Sequence, residues 1–242
     1  MFIYPLIVAV ISLVFGLVVL SQWARRRRPH QAVWSFALLV GAAVGSFIFV
    51  AFEGAGSELL FRLYYICVAL FPAAYLGMGS LYLVMSRRAA DLILAVLAIV
   101  SALGVALMLV APLDHTALLA TQRAGTEGTG VLKQGLWLIP VILNNIFGSV
   151  ALIGVALYSA YKVVRRQAPP RFVIANVVIA AGAFTVAGAG SAARLGNAAP
   201  FWIVTTVGYI VLFGGFLLTT NLAALGARGT RDVRAGSGAT SS

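Results

Sequence analysis

Two adjacent amides, Asn144 and Asn145, interrupt an apolar run that extends from Gly135 to Tyr161. A side-chain amide carries two donors and an acceptor with two lone pairs. In apolar surroundings such groups either bond to a neighbouring helix or line a polar cavity. Asn144 falls about 14 Å along a helix begun at Gly135, at ~1.5 Å per residue, near the centre of a ~30 Å hydrocarbon layer. Pro140 lies one turn earlier. It has no N–H to donate, which predicts a kink and a free Leu136 carbonyl above the two amides.

A second group of candidates is charged. Glu53, Glu58 and Arg62 stand where two apolar runs meet, and Glu58 and Arg62, four residues apart, can pair on one helical face. Arg194 and Asn197 occupy the corresponding end of a later run. Together these residues would form a charged mouth for a small anionic or zwitterionic ligand; the alternative is interfacial ion pairing with snorkelling side chains. A third feature is a stripe at helical spacing, Phe61, Tyr65, Pro72, Tyr75, Gly79 and Tyr82. Phenols in lipid need hydrogen-bond partners, so the stripe predicts a face turned to protein or to a cavity. The single cysteine, Cys67, lies in an apolar run and reads as a small buried residue.

Several chemistries lack a required part. A retinal Schiff base needs a lysine in the last span, and the only lysines are Lys133 and Lys162. Haem ligation within helices usually needs histidines there, whereas His30 and His115 fall in predicted loops. The sequence contains no His-Glu-x-x-His zinc motif and no phosphate-cradling Gly-x-x-x-x-Gly-Lys loop. Only Glu53, at a span edge, approximates the acidic residue at depth expected of a proton-coupled transporter. The reading is therefore of a protein with no catalytic constellation, cofactor or metal.

The elements that must hold these residues follow from composition. Hydrophobic residues make up 62% of the 242 and charged residues 10%, against about 25% charged in a soluble domain. The net charge of +11 is not spread over a face as nucleic-acid binding would require; it sits in short clusters between apolar runs, as in a polytopic membrane protein. Seven stretches reach the ~20 residues needed to cross a bilayer, at about residues 2–20, 32–52, 59–85, 92–111, 135–161, 172–193 and 201–225. The predicted fold is all-α, a bundle of seven transmembrane helices, because only helices satisfy their own backbone groups within each such segment.

An outside N-terminus leaves 13 of the 17 basic residues in cytoplasmic segments, among them Arg25, Arg26, Arg27, Arg28, Arg87 and Arg88. The positive-inside rule thus favours an N-out, C-in protein of the cell membrane. Arginines follow the first apolar run rather than precede it, so that run reads as a retained anchor, not a cleaved signal. The longest outer segment, 112–134, is expected to hold a short helix over Thr116–Gln122 and a loop over Gly125–Gly130. The polar tail 226–242 is expected to be disordered in the cytoplasm. Span six carries small residues at fours, Ala181, Thr185 and Ala189, suited to internal helix packing or to a homo-oligomer.

The N-out plan, the tight outer hairpin and the tyrosine-rich third span, over Gln31 to Arg88, resemble the seven-helix sensor modules of bacterial histidine kinases. Arg62-Leu63-Tyr64-Tyr65, Leu76-Gly77-Met78-Gly79-Ser80-Leu81-Tyr82-Leu83 and Phe213-Gly214-Gly215-Phe216-Leu217 are similar to segments of uncharacterised bacterial seven-span proteins. The resemblance implies a sensing or partner-binding role, with a protein partner at the cytoplasmic loops. The leading expectation is a membrane module binding a small molecule or lipid in its outer half, lined by Glu53, Arg62, Tyr65, Asn144, Asn145 and Arg194. The alternative is a facilitative small-solute transporter, using kinks at Pro72 and Pro140 and the central asparagines.

Overall fold

The computed structural model describes residues 3–165, 170–194 and 201–218. Among these the chain is helical almost throughout, with one isolated antiparallel bridge, Leu113 to Leu132. We name the helices α1 (Ile3–Arg26), α2 (Pro29–Ala55), α3 (Glu58–Leu81), α4 (Arg87–Val110), α5 (His115–Ala124), α6 (Leu138–Val164), α7 (Pro170–Arg194) and α8 (Phe201–Leu218). Six of them, all but α5 and α7, are long and apolar enough to cross a membrane, which makes this a multi-pass membrane protein. Helix α7, 25 residues long, occupies the sixth predicted stretch; among its described residues the apolar part is Val177–Gly190. The tail 226–242 lies outside the described residues.

Local chemistry sets the boundaries. Helix α1 carries Arg25 and Arg26 in its last turn, where cations complement the unpaired carbonyls. Arg27 turns left-handed, at φ 51, and its guanidinium lies 4.8 Å from the centroid of the Trp23 ring. Pro29 then opens α2 at a position where its missing N–H costs nothing. Gly56, at φ 66, closes α2 through a bond from its N–H to the Phe52 carbonyl. Two spans are irregular inside. Helix α2 widens to a π-helix over Ala37–Val44, and α3 breaks at Phe71, with Pro72 restarting it.

Small residues let the spans cross closely. Gly77 of α3 and Gly148 of α6 face each other: a Cβ on Gly77 would stand 2.6 Å from the Gly148 carbonyl oxygen, and one on Gly148 would strike the backbone of Ala73. Helices α7 and α8 meet through Gly182, Gly208 and Gly215, and of the series Ala181, Thr185 and Ala189 the last is buried in the core. In that series Thr185 donates to its own helix, at the Ala181 carbonyl. Two aromatic clusters fill the core. Phe49, Phe52, Phe61, Tyr64, Tyr65 and Trp202 interlock at one end. Phe15, Phe213, Phe216 and Trp34 do so at the other.

Two expectations change. Pro140 makes no mid-helix kink, because α6 begins at Leu138 and the proline sits in its first turn, where no N–H is required. The Leu136 carbonyl is not free; it accepts from the Ile139 N–H at 3.2 Å. Glu58 and Arg62 do not pair. Glu58 meets His115 at 3.2 Å, whereas Arg62 Nη1 donates to the carbonyls of Met108 and Ala111, at 2.9 and 2.8 Å. The C-terminal carbonyls of α4 outcompete a single-turn ion pair, because they present two unpaired acceptors and the negative end of a helix dipole.

The predicted short helix in the long connection is α5. Asp114 caps it, accepting from the N–H groups of Thr116 and Ala117 at 2.9 and 3.0 Å. The Ala117 N–H, followed by that of Thr116 and the nearby Lys133 and His115, holds the Asp114 carboxyl below the usual carboxylate range. A depressed value means that the stabilisation is full above the ordinary pKa of about 3.9 and is lost as pH falls through the lower folded value. Hydrogen exchange of the His115–Ala124 amides should therefore keep constant protection factors at neutral pH and lose protection only in acid below that value. Asp114→Ala should remove the pH dependence and lower the protection at every pH.

Candidate functional site

A cavity of about 600 Å³ opens among α2, α3, α6, α7 and α8. Its walls are mainly apolar, and one side reaches the outer surface between α6 and α7. There the wall residues Ile146, Val150 and Phe184 are all exposed. Gly188 and Gly190 of α7 have nothing within 4 Å of a would-be Cβ, so the absence of side chains keeps that flank clear.

The other end of the cavity is roofed by the loop between α5 and α6. Glu127 and Thr129 line it from this loop. The loop is pinned at its base by bonds from the Asp114 N–H to the Val131 carbonyl and from the Lys133 N–H to the Pro112 carbonyl, at 2.8 and 2.9 Å. The Tyr64 hydroxyl, buried in α3, donates to the Glu127 carbonyl at 2.9 Å. Gly128 adopts φ +84, and the Phe61 ring occupies the space a Cβ would need. Both the backbone angle and the contact exclude other residues there. These restraints draw the acidic side chain inward: Glu127 is only 4% exposed.

Three polar side chains in the wall are left incomplete. Glu127 Oε1 accepts from the Thr129 N–H at 3.2 Å, while its Oε2 has no hydrogen-bond partner among the described residues. Trp202 Nε1 and Thr205 Oγ1, one turn apart on α8, are likewise buried and without partners there. All three residues are at least nine-tenths buried, and all line the same cavity. Tyr64 links them, because its ring lies 6.1 Å from that of Trp202 and its hydroxyl holds the Glu127 backbone. Buried polar groups are normally hydrogen-bonded, and each exception costs about 1–3 kcal/mol. Three such groups belong to residues that line one void.

No family model, curated protein or solved structure matches the chain.

Of the residues singled out from the sequence, Tyr65 and Asn145 line the cavity. Tyr65 stacks on Phe61 at 5.6 Å between centroids and meets Trp137 edge-on. Asn145 Nδ2 donates to the carbonyls of Ala69 and Val141, both at 2.8 Å. Asn144 is buried behind it, donating to the Leu70 carbonyl at 3.2 Å and to Ser101 Oγ at 2.9 Å. The two amides thus fasten α6 to the carbonyls just before the break in α3. Glu53 is buried at the end of α2, its carbonyl accepting from Gln122 Nε2 at 3.2 Å. Arg62 caps α4, away from the cavity wall. Arg194 ends α7, and its side chain lies outside the described residues, as does Asn197.

Sequence reasoning missed Glu127, Tyr64, Trp202 and Thr205. Glu127 stands between Gly125 and Gly128, which reads as an exposed turn. The only signals available were the acidic residue within a glycine-rich segment and the Trp-x-x-Thr spacing on one face of α8.

Proposed function

We propose that this chain is a seven-span module of a bacterial cell membrane that binds a small molecule or lipid in the outer half of its bundle. The count of seven rests on α7, a helix over the sixth apolar stretch, beside six apolar helices of spanning length. The N-out, C-in orientation rests on the arginine clusters at the end of α1, Arg25 and Arg26, and at the start of α4, Arg87 and Arg88, on the side opposite the roof loop. The likeness to sensor modules of histidine kinases argues for a protein partner at the cytoplasmic loops as the receiver of the binding event.

The observation that carries the reading is the cavity with its three incomplete polar groups. A void kept only for packing reasons would be apolar. A pocket of a few hundred Å³, mainly apolar with a few convergent polar groups, is the usual form of a small-molecule site.

The test is photolabelling of the full chain in lipid nanodiscs with a decanol carrying an alkyl diazirine. Saturable labelling of Tyr64, Asn145 and Trp202 is expected. Ser149→Trp, which places an indole in the cavity wall, should remove it. Labelling confined to outward residues such as Leu92 and Ile99 of α4, rising without saturation, would overturn the proposal.

A further inference from the structure

The polar equipment of the cavity is one-sided in charge. Glu127 is the only ionisable acid in the described wall, and no lysine or arginine joins it there. Thr129 satisfies one carboxyl oxygen and leaves the other without a partner. A carboxylate in this position attracts a cation and repels an anion.

The surroundings of that acid are aromatic. Tyr64, Tyr65, Phe201 and Trp202 all line the cavity, with Tyr64 and Tyr65 centroids 6.2 Å apart and Phe201 and Trp202 centroids 5.1 Å apart. Aromatic faces carry partial negative charge, and sets of them recognise alkylated ammonium groups. Beyond this end the wall turns apolar along Val68, Leu76, Ile146 and Ile153, down to the opening between α6 and α7.

We propose that the ligand is an amphiphilic organic cation. Its ammonium head lies against Glu127 under the roof loop, and its apolar tail lies toward the opening between α6 and α7. The head group carries no anion, because a phosphate or sulfate beside the ammonium would meet the carboxyl with no basic residue in the described wall to offset it. The Trp202 N–H and the Thr205 hydroxyl are left to bond a neutral oxygen on the same ligand. This assignment rests on the cavity being a binding site, the reading given above.

The experiment uses the full chain in maltoside micelles and three diazirine-bearing ten-carbon probes that differ only in the head: trimethylammonium, alcohol and sulfate. On the wild-type protein the ammonium probe should label the cavity at concentrations at least about tenfold lower than the alcohol, the ratio expected for one desolvated cation held by aromatic faces. The sulfate should label it least. Glu127→Gln should bring labelling by the ammonium probe to the level of the alcohol on the same variant. The head-group series on the wild-type chain is decisive even if that variant misfolds. Equal labelling by ammonium and alcohol would overturn the cation assignment while leaving a binding site. Absence of saturable labelling by all three probes would overturn the binding site itself. Diheptanoylphosphatidylcholine should fail to displace the ammonium probe; displacement at comparable concentration would overturn the assignment in favour of a zwitterionic lipid head group.

Discussion

Gly148→Leu should unfold the bundle or lower its melting temperature by about 6–12 °C. The reason is the identity of the neighbour. A Cβ on Gly148 collides with the carbonyl carbon and oxygen of Ala73 and crowds the Ala74 nitrogen. These are backbone atoms of α3 just past its break, and no side-chain rotation relieves the clash. Overpacking a well-packed core typically costs 1–3 kcal/mol; with rigid backbone as the obstacle, the upper end, about 3 kcal/mol, is the appropriate figure. That corresponds to about 6–12 °C for a chain of this size. Thermal unfolding followed by intrinsic tryptophan fluorescence is the direct measurement. Gly154→Leu is the matched control, because Gly154 lies on the same helix with nothing within 4 Å of its would-be Cβ. Comparable melting of the two variants would refute the close α3–α6 crossing.

The second large effect is expected at Asn144. Its Nδ2 bonds the Leu70 carbonyl and Ser101, while its Oδ1 is buried with no partner among the described residues. Asn144→Asp replaces the donor with an oxygen that faces another acceptor at Leu70, at nearly the same volume. Two interhelical bonds, each worth about 0.6–1.7 kcal/mol, are exchanged for repulsion and a buried acid, so a cost of about 3 kcal/mol or more is expected. Asn144→Leu should be milder, because it removes the unpartnered oxygen along with the bonds. The ranking, read from melting temperatures of the two variants against wild type, is the test. A leucine variant less stable than the aspartate variant would show that packing, not hydrogen bonding, holds this contact.

These cases mark what the sequence makes legible. Helix positions follow from apolar length, since nothing but a helix satisfies the backbone in lipid. The break at Pro72 and the short helix α5 follow from local rules about proline and capping. The role of Asn144 and Asn145 was half legible. Their cost in an apolar run announces partners, but not whether those are carbonyls of α3 or a ligand. Arg62 shows why charge pairing by spacing misleads. The residue four positions away is one candidate, and the end of a distant helix is a stronger one. Glu127 was illegible for a different reason. Its burial is imposed by Tyr64, Phe61 and the left-handed Gly128, contacts more than sixty residues apart in sequence for the two α3 residues, whereas its own neighbours read as a solvated turn. Likewise, the π turn in α2 has no proline to announce it.

The opening between α6 and α7 sets the concentration scale that matters. Ile146, Val150 and Phe184 border it on the apolar surface of the bundle, so a ligand of the proposed kind would arrive from the hydrocarbon phase rather than from bulk water. Transfer of a ten-carbon chain out of water already supplies about 8 kcal/mol, at about 0.8 kcal/mol per methylene, before any contact with protein. For the proposed binding role, the protein then needs only to discriminate among solutes already dissolved in the bilayer. A weak intrinsic preference for one head group suffices, and its occupancy reports mole fraction in the membrane instead of molarity in the surrounding medium.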